Sequence, residues 1–203
     1  AKFGSCESAP RKIKVDANIT PVNAPGATDV DRCGPGTVIL SVTNPLGSVT
    51  YKWYATNTST TVLHTGNTFT TPSLSTTTTY WVNGTGANGC PSPRTPVQAI
   101  IRPPVIVNAG ADVTSCEASP VQLAGSITGG ATTGEWVGGT GSFNPNRQAL
   151  NAVYTPSAAE VTAGTVTLTL QSVDPPGACP AASDMMTITI NDEVSVNAGA
   201  DQT

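Results

Sequence analysis

The chain has 203 residues, of which only 11% are charged, and a net charge of −4. Nine scattered Lys and Arg cannot form the clustered basic surface that neutralises phosphates, which excludes nucleic-acid binding. No apolar run reaches the roughly 18 residues of a bilayer-spanning helix, so this segment predicts no membrane insertion.

The elements, taken in order, are almost all strands. In "RKIKVDANITP" (11–21) the charges alternate along a strand and form one solvated face. Then come "TVILSVT" (37–43), "VTYKWYA" (49–55), "TTVLH" (60–64), "TFTTP" (68–72), "TTTYWV" (77–82) and "PVQAIIR" (96–102), with Gly, Asn and Pro clusters between them. After residue 104 the pattern resumes in "SPVQLAGSIT" (119–128), "GEWVGG" (134–139), "NAVYTP" (151–156), "TVTLTLQSV" (165–173) and "MMTITIN" (185–191). Short β-branched segments about every ten residues predict antiparallel β-sandwiches. The exception is "SAAEVTAG": Ser157 and Glu160 form a capping box and Gly164 a stop, which predicts a single helical turn. Trp53 and Trp136 are expected to fill the two cores. Tyr80 and Trp81 must face opposite sides of one strand, and an outward Trp81 is the candidate for stacking on a sugar.

The chain also repeats itself. "VDANITP" (15–21) matches "VQAIIRP" (97–103) as V-x-A-x-I-x-P, and "VNAGADVT" (107–114) returns as "VNAGADQT" (196–203). Offsets of 82 and 89 (97 − 15; 196 − 107) are domain-sized. The expected organisation is therefore a linear array. Residues 1–21 are the C-terminal strand of a preceding repeat, 22–104 and 105–192 are two complete sandwiches, and 193–203 start another. The window is then part of a longer tandem protein.

Five cysteines sharpen this expectation. Within those boundaries Cys33 pairs with Cys90 and Cys116 with Cys179, leaving Cys6 unpaired because its partner lies upstream. One histidine and no CxxC argue against a metal reading, and disulfides imply an oxidising, extracellular or cell-surface location.

"RCGPGTVILSVTNP…YKWYATNTSTTVLHTGNTFTTPSLSTTTTYWVNGTGANGCPSPRTPVQAII" resembles the Ig-like repeats of very large secreted proteins of Bacteroidota. "VNAGADVTSCEASPVQLAGSITGGATTGEWVGGTGSFNPNRQALNAVYTPSAAEVTAGTVTLTLQSVDPPGACPAASDMMTITI" resembles the PKD-like repeats that accompany them. Such proteins include gliding-motility adhesins and other cargo of the type IX secretion system. The resemblance implies an all-β fold, a tandem Ig-like then PKD-like array and an architectural role; it identifies no ligand. Cys90 stands ten residues after Tyr80 rather than in the Tyr-x-Cys setting of immunoglobulin domains.

No catalytic constellation emerges. His64 is the sole histidine, at a strand end beside a turn; "GGTGSF" is a turn rather than a phosphate loop; and the carboxylates are mostly isolated. Acidic and amide groups do gather at the predicted junctions. Asp29, Asp31, Asn108, Asp112, Asp174 and Asp192 are the candidate ligands for calcium, which takes six to eight oxygens. Turn-forming Asx roles account for the same residues. Sequons occur at Asn18, Asn57 and Asn83.

The function expected is a non-catalytic segment of a large adhesin or stalk protein, acting as spacer and adhesive module. Its partners are neighbouring repeats, surface polysaccharide or other cells. Two alternatives stand beside it: an accessory, carbohydrate-binding array of a secreted polysaccharide-degrading enzyme, and a self-associating subunit of an extracellular fibre.

Overall fold

The structure, a computed structural model, describes residues 22–117 and 119–191. Cys6, Asn18, Asp192 and the expected flanking segments 1–21 and 193–203 lie outside the described residues.

The first sandwich contains β1 (Gly26–Ala27), β2 (Val30–Cys33), β3 (Ile39–Thr43), β4 (Thr50–Tyr54), β5 (His64–Thr65), β6 (Thr68–Thr70), β7 (Thr78–Thr85) and β8 (Thr95–Arg102). One sheet has the order β1-β3-β6 and the other β2-β8-β7-β4-β5. The first strand thus crosses between layers: β1 pairs antiparallel with β3, and β2 pairs parallel with β8. Period-2 patterning selects the inner faces. Leu40 and Val42 point in from β3 while Ile39 stays 62% exposed. Trp53, Phe69, Tyr80, Val82, Val97 and Ala99 complete the core. Trp53 is fully buried; its indole N–H donates to the Gly66 carbonyl at 3.0 Å and its ring stacks with Phe69.

The second sandwich contains β9 (Val105–Asn108), β10 (Val113–Cys116), β11 (Val121–Gln122), β12 (Ser126–Gly129), β13 (Gly134–Gly138), β14 (Ser142–Asn144), β15 (Val153–Thr155), α1 (Ala158–Ala163), β16 (Thr165–Ser172) and β17 (Ser183–Asn191). One layer has the order β10-β17-β16-β13, with β10 parallel to β17. The opposing layer is built from the β12-β9 pair and the β11-β15-β14 sheet. Threonines at 165, 167 and 169 face out of β16, and Val166, Leu168 and Leu170 face in. Their partners are Trp136, Tyr154, Met186, Ile188 and Ile190. The two cores share no residue.

The turn at Ser157 forms as expected. Ser157 and Glu160 make a reciprocal capping box, and Gly164 ends α1 in the left-handed conformation with φ of 71°. The architecture is all-β, two sandwiches in tandem. It departs from a purely antiparallel expectation only at the two parallel pairs, and those pairs decide where the cysteines lie.

Candidate functional site at the module junction

Between Arg102, the last residue of β8, and Val105, the first of β9, lie only Pro103 and Pro104. Each proline ring fixes φ, so the connector is stiff by itself. It is also cradled. The Gly130 N–H donates to the Pro104 carbonyl at 3.3 Å. At Gly129, with φ of 85°, a Cβ would collide with that carbonyl oxygen, so the turn after β12 needs glycine.

The junction is closed covalently, by a pairing the sequence did not predict. Cys33 is bonded to Cys179, with Cα atoms 4.7 Å apart across 146 residues of sequence. Cys90 and Cys116 are exposed free thiols. The expected Cys33–Cys90 and Cys116–Cys179 bonds are corrected by strand direction. Because β2 runs parallel to β8, Cys33 comes to lie opposite Arg102, at the end of the last strand. Cys90 sits in the β7–β8 loop, ahead of that strand's beginning. An eight-residue strand separates them by roughly 23 Å, far beyond the 4.4–6.8 Å Cα span of a disulfide. The same holds in the second sandwich, where Cys116 is opposite Asn191 and Cys179 precedes β17.

Around the staple the fit is close. Cys179 is 3% exposed, and its sulfur lies 3.4 Å from the Pro103 carbonyl oxygen. Arg102 Nε donates to Asp31 Oδ2 at 2.8 Å. Gly177, with φ of 98°, lies so near this pair that a Cβ would strike both Arg102 and Asp31. The β16–β17 loop of the second sandwich therefore caps the lower pole of the first.

The candidate calcium ligands are not brought together. Asp29 Oδ1 accepts from the Gln98 N–H at 2.8 Å, and Asp112 Oδ1 from the Thr187 N–H at 2.7 Å. These two bonds are one device used twice: an Asp just before the parallel strand clamps the final strand, one residue before the first pairing. Asn108 closes a turn onto the Gly110 N–H, Asp31 holds Arg102, and Asp174 is exposed in the β16–β17 loop. Among the described residues no group of three or more His, Cys, Asp or Glu side chains is placed to hold a metal ion. The described members of the donor set do not fit calcium, because Asp29, Asn108 and Asp112 are each occupied by a backbone N–H and Asp31 by Arg102. The signal that identifies the clamp is the Asp-Val dipeptide at 29–30 and 112–113, which sequence reading took for a ligand.

Trp81 lies half-buried on the outer face of β7, opposite Tyr54, while Tyr80 turns into the core. The Arg94 guanidinium covers the Tyr54 ring at 3.6 Å and donates to the carbonyls of Thr56, Asn57 and Ser59. His64 is exposed and stacks on Phe69. Asn83 is 6% exposed, so its sequon is packed away, whereas Asn57 is open to solvent.

Residues 19–103 match the family model described as an Ig-like domain, CHU_C associated, so this part of the chain is similar to that family. Among curated proteins none matches the chain significantly by sequence. Among solved structures the chain is similar to Sidekick-1 immunoglobulin domains 1–4, at TM-score 0.52 and 10% identity, covering 84% of this chain and 48% of that one. It is also similar to the titin I-band fragment I67–I69, at TM-score 0.50 and 14% identity, covering 83% and 64%. The chain thus spans about half of the first fragment and under two thirds of the second. At these identities the likeness is one of fold: immunoglobulin-type sandwiches strung in a row.

Proposed function

We propose that the chain is a non-catalytic, covalently stapled spacer within a long extracellular or cell-surface protein, of the adhesin or stalk kind found in Bacteroidota. Its units are residues 22–104 and 105–192, with further repeats before and after. The observation that carries this reading is the Cys33–Cys179 bond. It spends the cysteines on the joint between two separate cores instead of on either core. A two-residue connector alone leaves neighbouring sandwiches free to rock, because inter-domain contacts of ordinary size permit motion. A second covalent attachment beside the connector, with the Cys179 sulfur 3.4 Å from the Pro103 carbonyl oxygen, makes the joint a double link and restricts that freedom. Surface partners for such a rod are polysaccharide or other cells, presented at a fixed distance.

Small-angle scattering of the oxidised chain and of Cys33→Ser tests this. The oxidised chain should scatter as one stiff elongated particle, and the variant as a distribution of bent ones. Identical profiles, with both modules folded, overturn the reading.

A further inference from the structure

We infer that Cys90 and Cys116 are each one half of the same inter-module staple, their partners being the corresponding cysteines of the preceding and following sandwiches in tandem. The argument begins from equivalence. Cys33 closes β2 and Cys116 closes β10; each strand runs parallel to its sandwich's last strand, with the cysteine opposite the final residue. Cys90 and Cys179 each sit in the loop that precedes that last strand. Every sandwich therefore carries one cysteine at its lower pole and one at its upper pole. At the single junction described, the lower pole of the first meets the upper pole of the second, and those two sulfurs are bonded. The remaining two are the upper pole of the first and the lower pole of the second. Both are exposed thiols.

A second observation points to an occupant. The upper pole of the second sandwich is covered: Arg102 and Pro103 lie against Gly130, Pro175 and Cys179, leaving a gap of about 160 Å³. The upper pole of the first holds an open groove of about 580 Å³, lined among others by Val22, Val42, Leu46, Val49, Tyr51 and Ala87. The groove lies where the second sandwich seats its neighbour, and beside the loop bearing Cys90.

The sequence supplies the neighbours. Residues 15–21 repeat 97–103, which here form the end of β8 and the connector, and 196–203 repeat 107–114. The second offset of 89 carries Arg102 onto Asn191 and Val105 onto Val194, so the sequence spacing from the end of the last strand to the repeated segment is preserved. Closing each staple converts two thiols into one disulfide. The two protons and two electrons pass to a disulfide-bearing oxidant, which leaves as a dithiol.

The inference rests on the tandem reading above and is tested apart from it. Residues 1–195 are joined to a second copy of residues 107–203, which appends another second-type sandwich in the natural register. The product is oxidised with glutathione disulfide and mapped without reduction. The expected result is Cys33 joined to the first Cys179 and Cys116 joined to the Cys179 of the appended copy, with Cys116 lost to maleimide labelling. In the Cys116→Ser version the appended Cys179 should stay reactive while the first staple persists. A Cys116 that remains a thiol beside an intact first staple overturns the inference and leaves the spacer reading standing. Absence of the first staple removes both. In the unextended chain, a bond from Cys90 to Cys116 or to Cys6 also overturns it.

Discussion

The Tyr154 hydroxyl lies 2.7 Å and 2.8 Å from the two carboxylate oxygens of Glu160, at the base of the single helical turn. The same carboxylate accepts from the Thr140 N–H at 2.6 Å and the Ser157 N–H at 2.8 Å, while the hydroxyl accepts from the Gly141 N–H. Burial first, and then the bond to Glu160, push the Tyr154 phenol up to about 12. Burial alone would raise Glu160 too, but the backbone donors of Ser157 and Thr140 and the Tyr154 hydroxyl outweigh it and hold the acid below its usual value. One polar knot thus ties the 138–141 turn, β15 and α1 together.

The first prediction is a pH dependence at both extremes. Between pH 10 and about 12 the unfolded Tyr154 is ionised while the folded one keeps its proton, so stability present below pH 10 is lost as pH rises. The full loss is on the order of 2–3 kcal/mol. On the acid side, Glu160 stabilises the fold above its unfolded value of about 4.3 and ceases to as pH falls through its lowered native value. Melting curves should show both limbs, and Tyr154→Phe should flatten the alkaline one.

Glu160→Ala removes the acceptor from three donors at once. Charge-assisted bonds of this kind are worth about 1.5–3 kcal/mol, so a loss near 3 kcal/mol is expected on urea unfolding of the second module. A loss below 0.5 kcal/mol would show that the knot contributes nothing.

The two buried tryptophans should respond differently to Phe. Trp53 donates to Gly66, so Trp53→Phe loses both packing and a hydrogen bond. Trp136 Nε1 finds no acceptor among the described residues, so Trp136→Phe removes an unpaired polar atom along with some packing. Trp53→Phe should cost about 1 kcal/mol more, read by chemical unfolding.

Gly177→Ala forces a Cβ against Arg102 and Asp31 at a left-handed backbone position. We expect a staple that dithiothreitol reduces at least several-fold faster, with both cores unchanged by circular dichroism. Asp31→Asn, by contrast, breaks a pair that is 37% and 26% exposed, and should cost under about 1 kcal/mol.

Much of this fold was legible from period-2 patterning, because strands such as "TVTLTLQSV" bury one face and wet the other, and that alternation is local. The capping box and the burial of both tryptophans were local or nearly so. The cysteine pairing was not. It depends on β2 leaving one sheet to run parallel with β8 in the other, a fact of topology that moves Cys33 to the opposite pole from Cys90. Nothing near Cys33 in sequence records it. The junction acids misled for a related reason: Asp29 and Asp112 look like ligands until the strands they clamp are in place.

The bond at the joint also sets the route by which a pull travels through the molecule. A load applied at residue 22 enters β1 and β2, crosses from Cys33 to Cys179, and leaves along β17. Everything from 34 to 178 hangs beside that line rather than on it. A slack of roughly 500 Å, about 3.5 Å for each step of the 146-residue separation between the bonded cysteines, stays locked away while the sulfurs hold. A chain so wired yields little under tow, and reduction would turn it into a long, compliant leash.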